Sequence, residues 1–141
     1  MPMIELTAPA GVIDGPGRAA LHKALTATLL RWEGAPDTAF FRAQAWCRIS
    51  ETPDGTFGSA EDGDPRFRVD VTVPQGALSE RRRAGLVDEA TRKVLEAAGL
   101  GEQDALRVWV LVHEQPEGTW GAGGQIIRFE ELKKMAAAQQ Q

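Results

Sequence analysis

Apolar and polar residues alternate along Met3–Thr7 and again along Arg68–Val73, the period-two pattern of a strand with one covered face. Each stretch runs into a turn containing Pro-x-Gly, and then the period changes. Leu21, Leu25, Thr28, Leu29 and Trp32 form one stripe at helical spacing, and Leu86, Ala90, Val94 and Leu95 form another. Asp14 and Ser79 stand where these helices need an N-cap, and Pro16 sits just inside the first. Gly34 and Gly99 stand where they should stop. Second strands are predicted over Ala43–Ile49 and Arg107–Val112. The run Val108–Val112, VWVLV, is apolar throughout, as in a strand covered on both faces.

The pattern is written twice. IELTAPAG (Ile4–Gly11) lies over VDVTVPQG (Val69–Gly76), and WCRISETPDGTFG (Trp46–Gly58) lies over WVLVHEQPEGTWG (Trp109–Gly121). The sequence therefore predicts one α/β (α+β) domain over 1–141, made of two tandem βαβ units. The first spans 2–62 and the second 66–130, with a polar tail over 131–141. A βαβ unit pairs its two strands in parallel. Two units give a four-stranded sheet with both helices on one face.

Composition narrows the function. With 141 residues and a net charge of −4, the chain lacks the basic surface that nonspecific nucleic-acid binding needs. No apolar run approaches a membrane span, and the first residues do not read as a signal peptide. Cys47 is the lone cysteine, so no intrachain disulfide forms, which suits a cytoplasmic setting. His113 has no second histidine at metal spacing, and no metal or other cofactor is expected. Arg81, Arg82 and Arg83 open the second helix, where positive charge opposes the helix dipole and hints at an anion or a carboxylate partner.

Pro2 follows an initiator methionine that is normally trimmed before a small residue. Together with the repeat and with E-x-P-x-G-x-[FW]-G after each second strand, it makes the chain resemble the tautomerase superfamily. It is similar in particular to a fused, double-length relative of 4-oxalocrotonate tautomerase, from Pro2 to about Phe129. The resemblance implies a trimer and catalysis by the amino-terminal proline. It also implies two arginines for a dicarboxylate, but the matching positions here are Val12, Ala77, Trp46 and Trp109, which argues against 4-oxalocrotonate itself. The family's aromatic survives as Phe57 and Trp120. Phe67 holds the place of Pro2 in the second unit and has no free amine.

The chemistry of such a proline follows from general principles. A free α-amine titrates near 8 in water, and burial lowers that value. A neutral amine then serves as general base, moving a proton in a small oxo acid or enol-keto compound. The expected site is Pro2 as catalyst, with Arg48, Arg107, Trp120 and Phe57 against the substrate. Two alternatives stand beside this reading. A charged Pro2 would act as an acid in hydration, dehalogenation or decarboxylation of an unsaturated acid, or the module would be oligomeric and non-catalytic. Two helices cover only one sheet face. The other, expected to be apolar around Ile4, Leu6, Trp46, Val69, Val71 and Trp109, predicts a homo-oligomer.

Overall fold

The computed structural model describes residues 1–139. Strand β1 (Met3–Pro9) leads to helix α1 (Gly15–Glu33), a short helix α2 (Ala39–Ala43) and β2 (Trp46–Thr52). Strand β3 (Phe67–Pro74), helix α3 (Glu80–Ala97), a 3-10 turn (Glu102–Arg107) and β4 (Val108–Gln115) repeat the theme. The two-residue strands β5 (Gly121–Ala122) and β6 (Gln125–Ile126) form a small ribbon before α4 (Phe129–Gln139).

The main sheet has the order β2-β1-β3-β4. Within each unit the strands are parallel, and β1 meets β3 antiparallel, with Glu5 opposite Asp70. Ile4, Leu6, Ala8, Phe67, Val69, Val71 and Val73 point to one face and are fully or nearly fully buried. Against them lie Leu21, Leu25, Thr28 and Leu29 of α1 and Leu86, Ala90, Val94 and Leu95 of α3. These are the residues of the two helical stripes, so the 3.6-residue periodicity identified the packed faces.

The helix ends follow local chemistry. The Asp14 carboxylate accepts from the Gly17 N–H at 2.6 Å, and the Ser79 hydroxyl accepts from the Arg82 N–H at 3.2 Å. Gly34 closes α1 in the left-handed region, at φ 77°, with its N–H on the Leu30 and Arg31 carbonyls.

Four expectations need correction. Residues 43–45 are not strand, because Thr38 caps a short helix whose Phe41 is buried, and β2 begins at Trp46. Arg107 ends the 3-10 turn, and β4 begins one residue later. Residues 131–139 are not merely a polar tail. They belong to α4, whose Leu132 is buried, and Gln140 and Gln141 lie outside the described residues.

The fourth correction concerns the open face. Ile4, Leu6, Val69 and Val71 face the helices, so that face is not apolar throughout. Its centre carries Glu5 paired with Arg48, and Asp70 paired with Arg68 and His113. The tryptophans stand at opposite ends, Trp46 62% and Trp109 67% exposed. Within the single chain VWVLV is therefore covered on one side only.

Contact between α1 and α3 depends on one missing side chain. A Cβ on Gly85 would lie 2.2 Å from the Trp32 ring, whose Nε1 donates to Glu89 at 2.9 Å. Gly85→Ala adds about 1 kcal/mol of helix propensity but overpacks this contact, at a typical cost of about 1–3 kcal/mol. The net effect is a loss of stability. Urea denaturation checks it, and a midpoint at or above that of the wild type would contradict the packing described.

Candidate active site around the amino terminus

The pairing that starts the sheet also buries the start of the chain. The Trp46 N–H donates to the Pro2 carbonyl at 3.1 Å, and Pro2 is buried. Ahead of it, Met1 lines a cavity of about 510 Å³ together with Glu33, Phe41, Arg82, Phe129 and Lys133. All four α-helices contribute to its walls: the end of α1, α2, the start of α3, and α4.

The terminal amine lies 3.8 Å from Glu33 Oε1, and both side chains are largely buried, 11% and 12% exposed. Burial holds the amine below its ordinary value of 8.0, with Glu33 opposing the shift. Burial likewise pushes the Glu33 carboxyl above its ordinary value of 4.5, with the amine opposing. In both groups loss of hydration outweighs mutual attraction, so each is drawn towards its neutral form.

Arg82 explains the arginine run at the head of α3. Its Nη1 donates to the Glu33 carbonyl at 3.2 Å, at the C-terminal end of α1, where positive charge is favoured. The charge that is misplaced on its own helix is well placed on the neighbouring one. A side chain at position 34 would approach Arg82 Nη1 to 3.0 Å. Lys133 Nζ lies 5.7 Å from the centre of the Phe129 ring, a cation–π distance. The cavity thus combines an amine, one carboxyl group, two cations and aromatic walls.

The residues expected at the site divide between places. Pro2 lies directly behind Met1. Phe57 and Arg107 come together, but with Phe67, Arg68 and Trp109, around a separate cavity of about 250 Å³ at the start of β3. There Arg107 pairs with Asp64 at 2.9 Å and Asp104 at 3.3 Å. Arg48 lies on the open sheet face against Glu5. Trp120 is half-buried before β5, its carbonyl accepting from the Ile127 N–H at 2.8 Å, and it lines neither cavity.

Sequence reasoning missed Glu33, Phe41, Phe129 and Lys133. Besides Pro2, the arginine run was the signal that pointed here. Cys47 is no nucleophile at neutral pH, since burial pushes its thiol up to about 11. Among the described residues no group of three His, Cys, Asp or Glu side chains is placed to hold a metal ion. No helix there is long and apolar enough to cross a membrane.

Residues 68–130, the second unit, match a family model described as tautomerase enzyme. Solved structures extend the likeness over the whole chain. The chain has the fold of the fused, double-length tautomerases. R7, a fused 4-OT solved as an asymmetric trimer, is 17% identical, with 99% of each chain covered and a TM-score of 0.74. Pt0534, solved after inactivation by 2-oxo-3-pentynoate, is 20% identical over 94% of this chain and 98% of its own, with a TM-score of 0.76. N1, of the cis-3-chloroacrylic acid dehalogenase family, is 21% identical over 95% and 90%, with a TM-score of 0.74. No curated protein sequence matches the chain.

Proposed function

We propose that the protein is a cofactor-independent tautomerase that uses Pro2, freed by removal of Met1, as general base on a small oxo acid or enol. The observation that carries this reading is the burial of the amino terminus beside a cavity containing two cations. Removal of Met1 leaves a secondary amine on Pro2, next to the space that Met1 fills. Burial favours the neutral amine, and a neutral amine accepts a proton. It takes the proton from an enol hydroxyl, or from carbon beside a carbonyl. The negative charge that develops on oxygen is stabilised by a nearby cation, for which Arg82 is the candidate. The tautomerase match of the second unit and the inactivation of Pt0534 by an alkynyl keto acid support the same chemistry.

A second reading keeps the site and reverses the proton. Glu33 beside the amine favours its charged form, and a charged Pro2 would act as an acid, as hydration or dehalogenation requires. The pH profile separates the two. A base must be neutral, so kcat/KM rises with pH through the lowered amine pKa; an acid must be charged, so it falls.

The decisive variant is Pro2→Ala, assayed by ketonisation of phenylenolpyruvate on protein shown by intact mass to lack Met1. A loss of about 10²–10⁴-fold is the size expected for a general base. In the wild type, 2-oxo-3-pentynoate should label the peptide that begins at Pro2. Unchanged turnover in the variant would remove Pro2 from the mechanism.

Assembly belongs to the same proposal. The open sheet face, with its buttressed ion pairs and two exposed tryptophans, is the surface on which copies associate, as a trimer like that of R7. Light scattering should give three chains per particle. A folded particle of 15.3 kDa at micromolar concentration would contradict it.

A further inference from the structure

Moving a proton along an enol takes two transfers, one off and one on, and a single amine can perform both only if it reaches both ends of the substrate. Besides the amine, the cavity holds one group able to hold or give up a proton near neutral pH, Glu33. Its Oε1 lies 3.8 Å from the terminal amine, and its Oε2 is buried with no hydrogen-bond partner among the described residues. An unsatisfied carboxyl oxygen inside a fold is costly unless something binds it.

We propose that Glu33 is the second proton-transfer group of this site, delivering to the substrate carbon the proton that Pro2 does not return. The proposal rests on the general-base reading of Pro2. In ketonisation, the Pro2 nitrogen takes the proton of the enol hydroxyl, and that O–H bond breaks as the carbonyl forms. The electron pair of the C=C bond takes a proton from the Glu33 O–H, making the new C–H bond. The proline ammonium then returns its proton to the Glu33 carboxylate, directly or through one water. The cycle neither gains nor loses protons or electrons.

Geometry and charge support the step. The amine 3.8 Å from Glu33 is that of Met1, and the Pro2 nitrogen lies one residue along, about 3.6 Å away at most. A small substrate seated between nitrogen and carboxyl reaches both. The charged groups that share the cavity with Glu33 are the amine, Arg82 from α3 and Lys133 from α4, and the amine draws Glu33 towards its carboxylate. Burial acts the other way and prevails, holding the proton on Glu33 to a higher pH than usual.

The test is the pH dependence of kcat for phenylenolpyruvate ketonisation in the full chain with Met1 removed. The wild type should give a bell-shaped profile, because the step needs a neutral amine and a protonated Glu33, and ¹³C NMR should show the Glu33 carboxyl titrating on one limb of that bell. Glu33→Gln, similar in shape, should lower kcat by about 10²–10⁴-fold with KM little changed and abolish that limb. Glu33→Asp should recover part of the rate. Wild-type kcat in Glu33→Gln, or a slowed enzyme that keeps both limbs, overturns the proposal while leaving Pro2 as base. Should Glu33→Gln fail to fold, the wild type decides: a bell with one limb matched to the Glu33 titration supports the step, and the lack of any such match overturns it. Full activity in Pro2→Ala would instead overturn the base reading on which this rests.

Discussion

The first strand of the chain is the centre of its sheet. β1 pairs with β2 on one side and β3 on the other, so the amino terminus is gripped by two ladders where most chains leave it free to fray. Its inward residues, Ile4 and Leu6, are wholly buried. Ordering the strand therefore orders the end of the chain, and the amine is carried out of water with it. Fixed position and partial desolvation are the two things a weakly basic nitrogen needs to become a useful base near neutral pH. No other element could supply them to an α-amine, since the chain has only one.

The duplicated architecture divides labour from that starting point. Phe67 occupies in β3 the place that Pro2 occupies before β1, and it is buried at the edge of its own small cavity. Being internal to the chain, it has no amine to offer. The second unit instead brings Arg82 and the helix α4 to the first unit's terminal cavity. Antiparallel contact between β1 and β3 makes this possible, because it places the start of one unit near the far end of the other's first strand. Pro74 and Ala77 line the terminal cavity for that reason.

Periodicity exposed the fold because burial here is regular. The stripe from Leu21 to Leu29 and its counterpart from Leu86 to Leu95 repeat at helical spacing and face one continuous layer of strand residues. The site was less legible for the opposite reason: its residues share no period and come from segments far apart. Glu33 is the last residue of α1 and belongs to neither apolar stripe. Phe129 and Lys133 lay in what read as the end of the second unit and a polar tail. Arg82 left a trace only because its charge conflicts with its own helix dipole, and the structure resolves the conflict through the C-terminus of α1. Alternation along β2 puts Arg48 on the face of Trp46, but does not show that Glu5 already engages it.

Everything proposed for the chemistry turns on one property, an amine whose buried surroundings keep it neutral more readily than water would. Titration of the Pro2 nitrogen by ¹⁵N NMR, in protein labelled at proline and lacking Met1, measures that property without any substrate. The account predicts a midpoint below the ordinary α-amino value of about 8. A midpoint at or above that value would mean that Glu33 outweighs burial, and the amine would then stand charged at neutral pH and could not be the base.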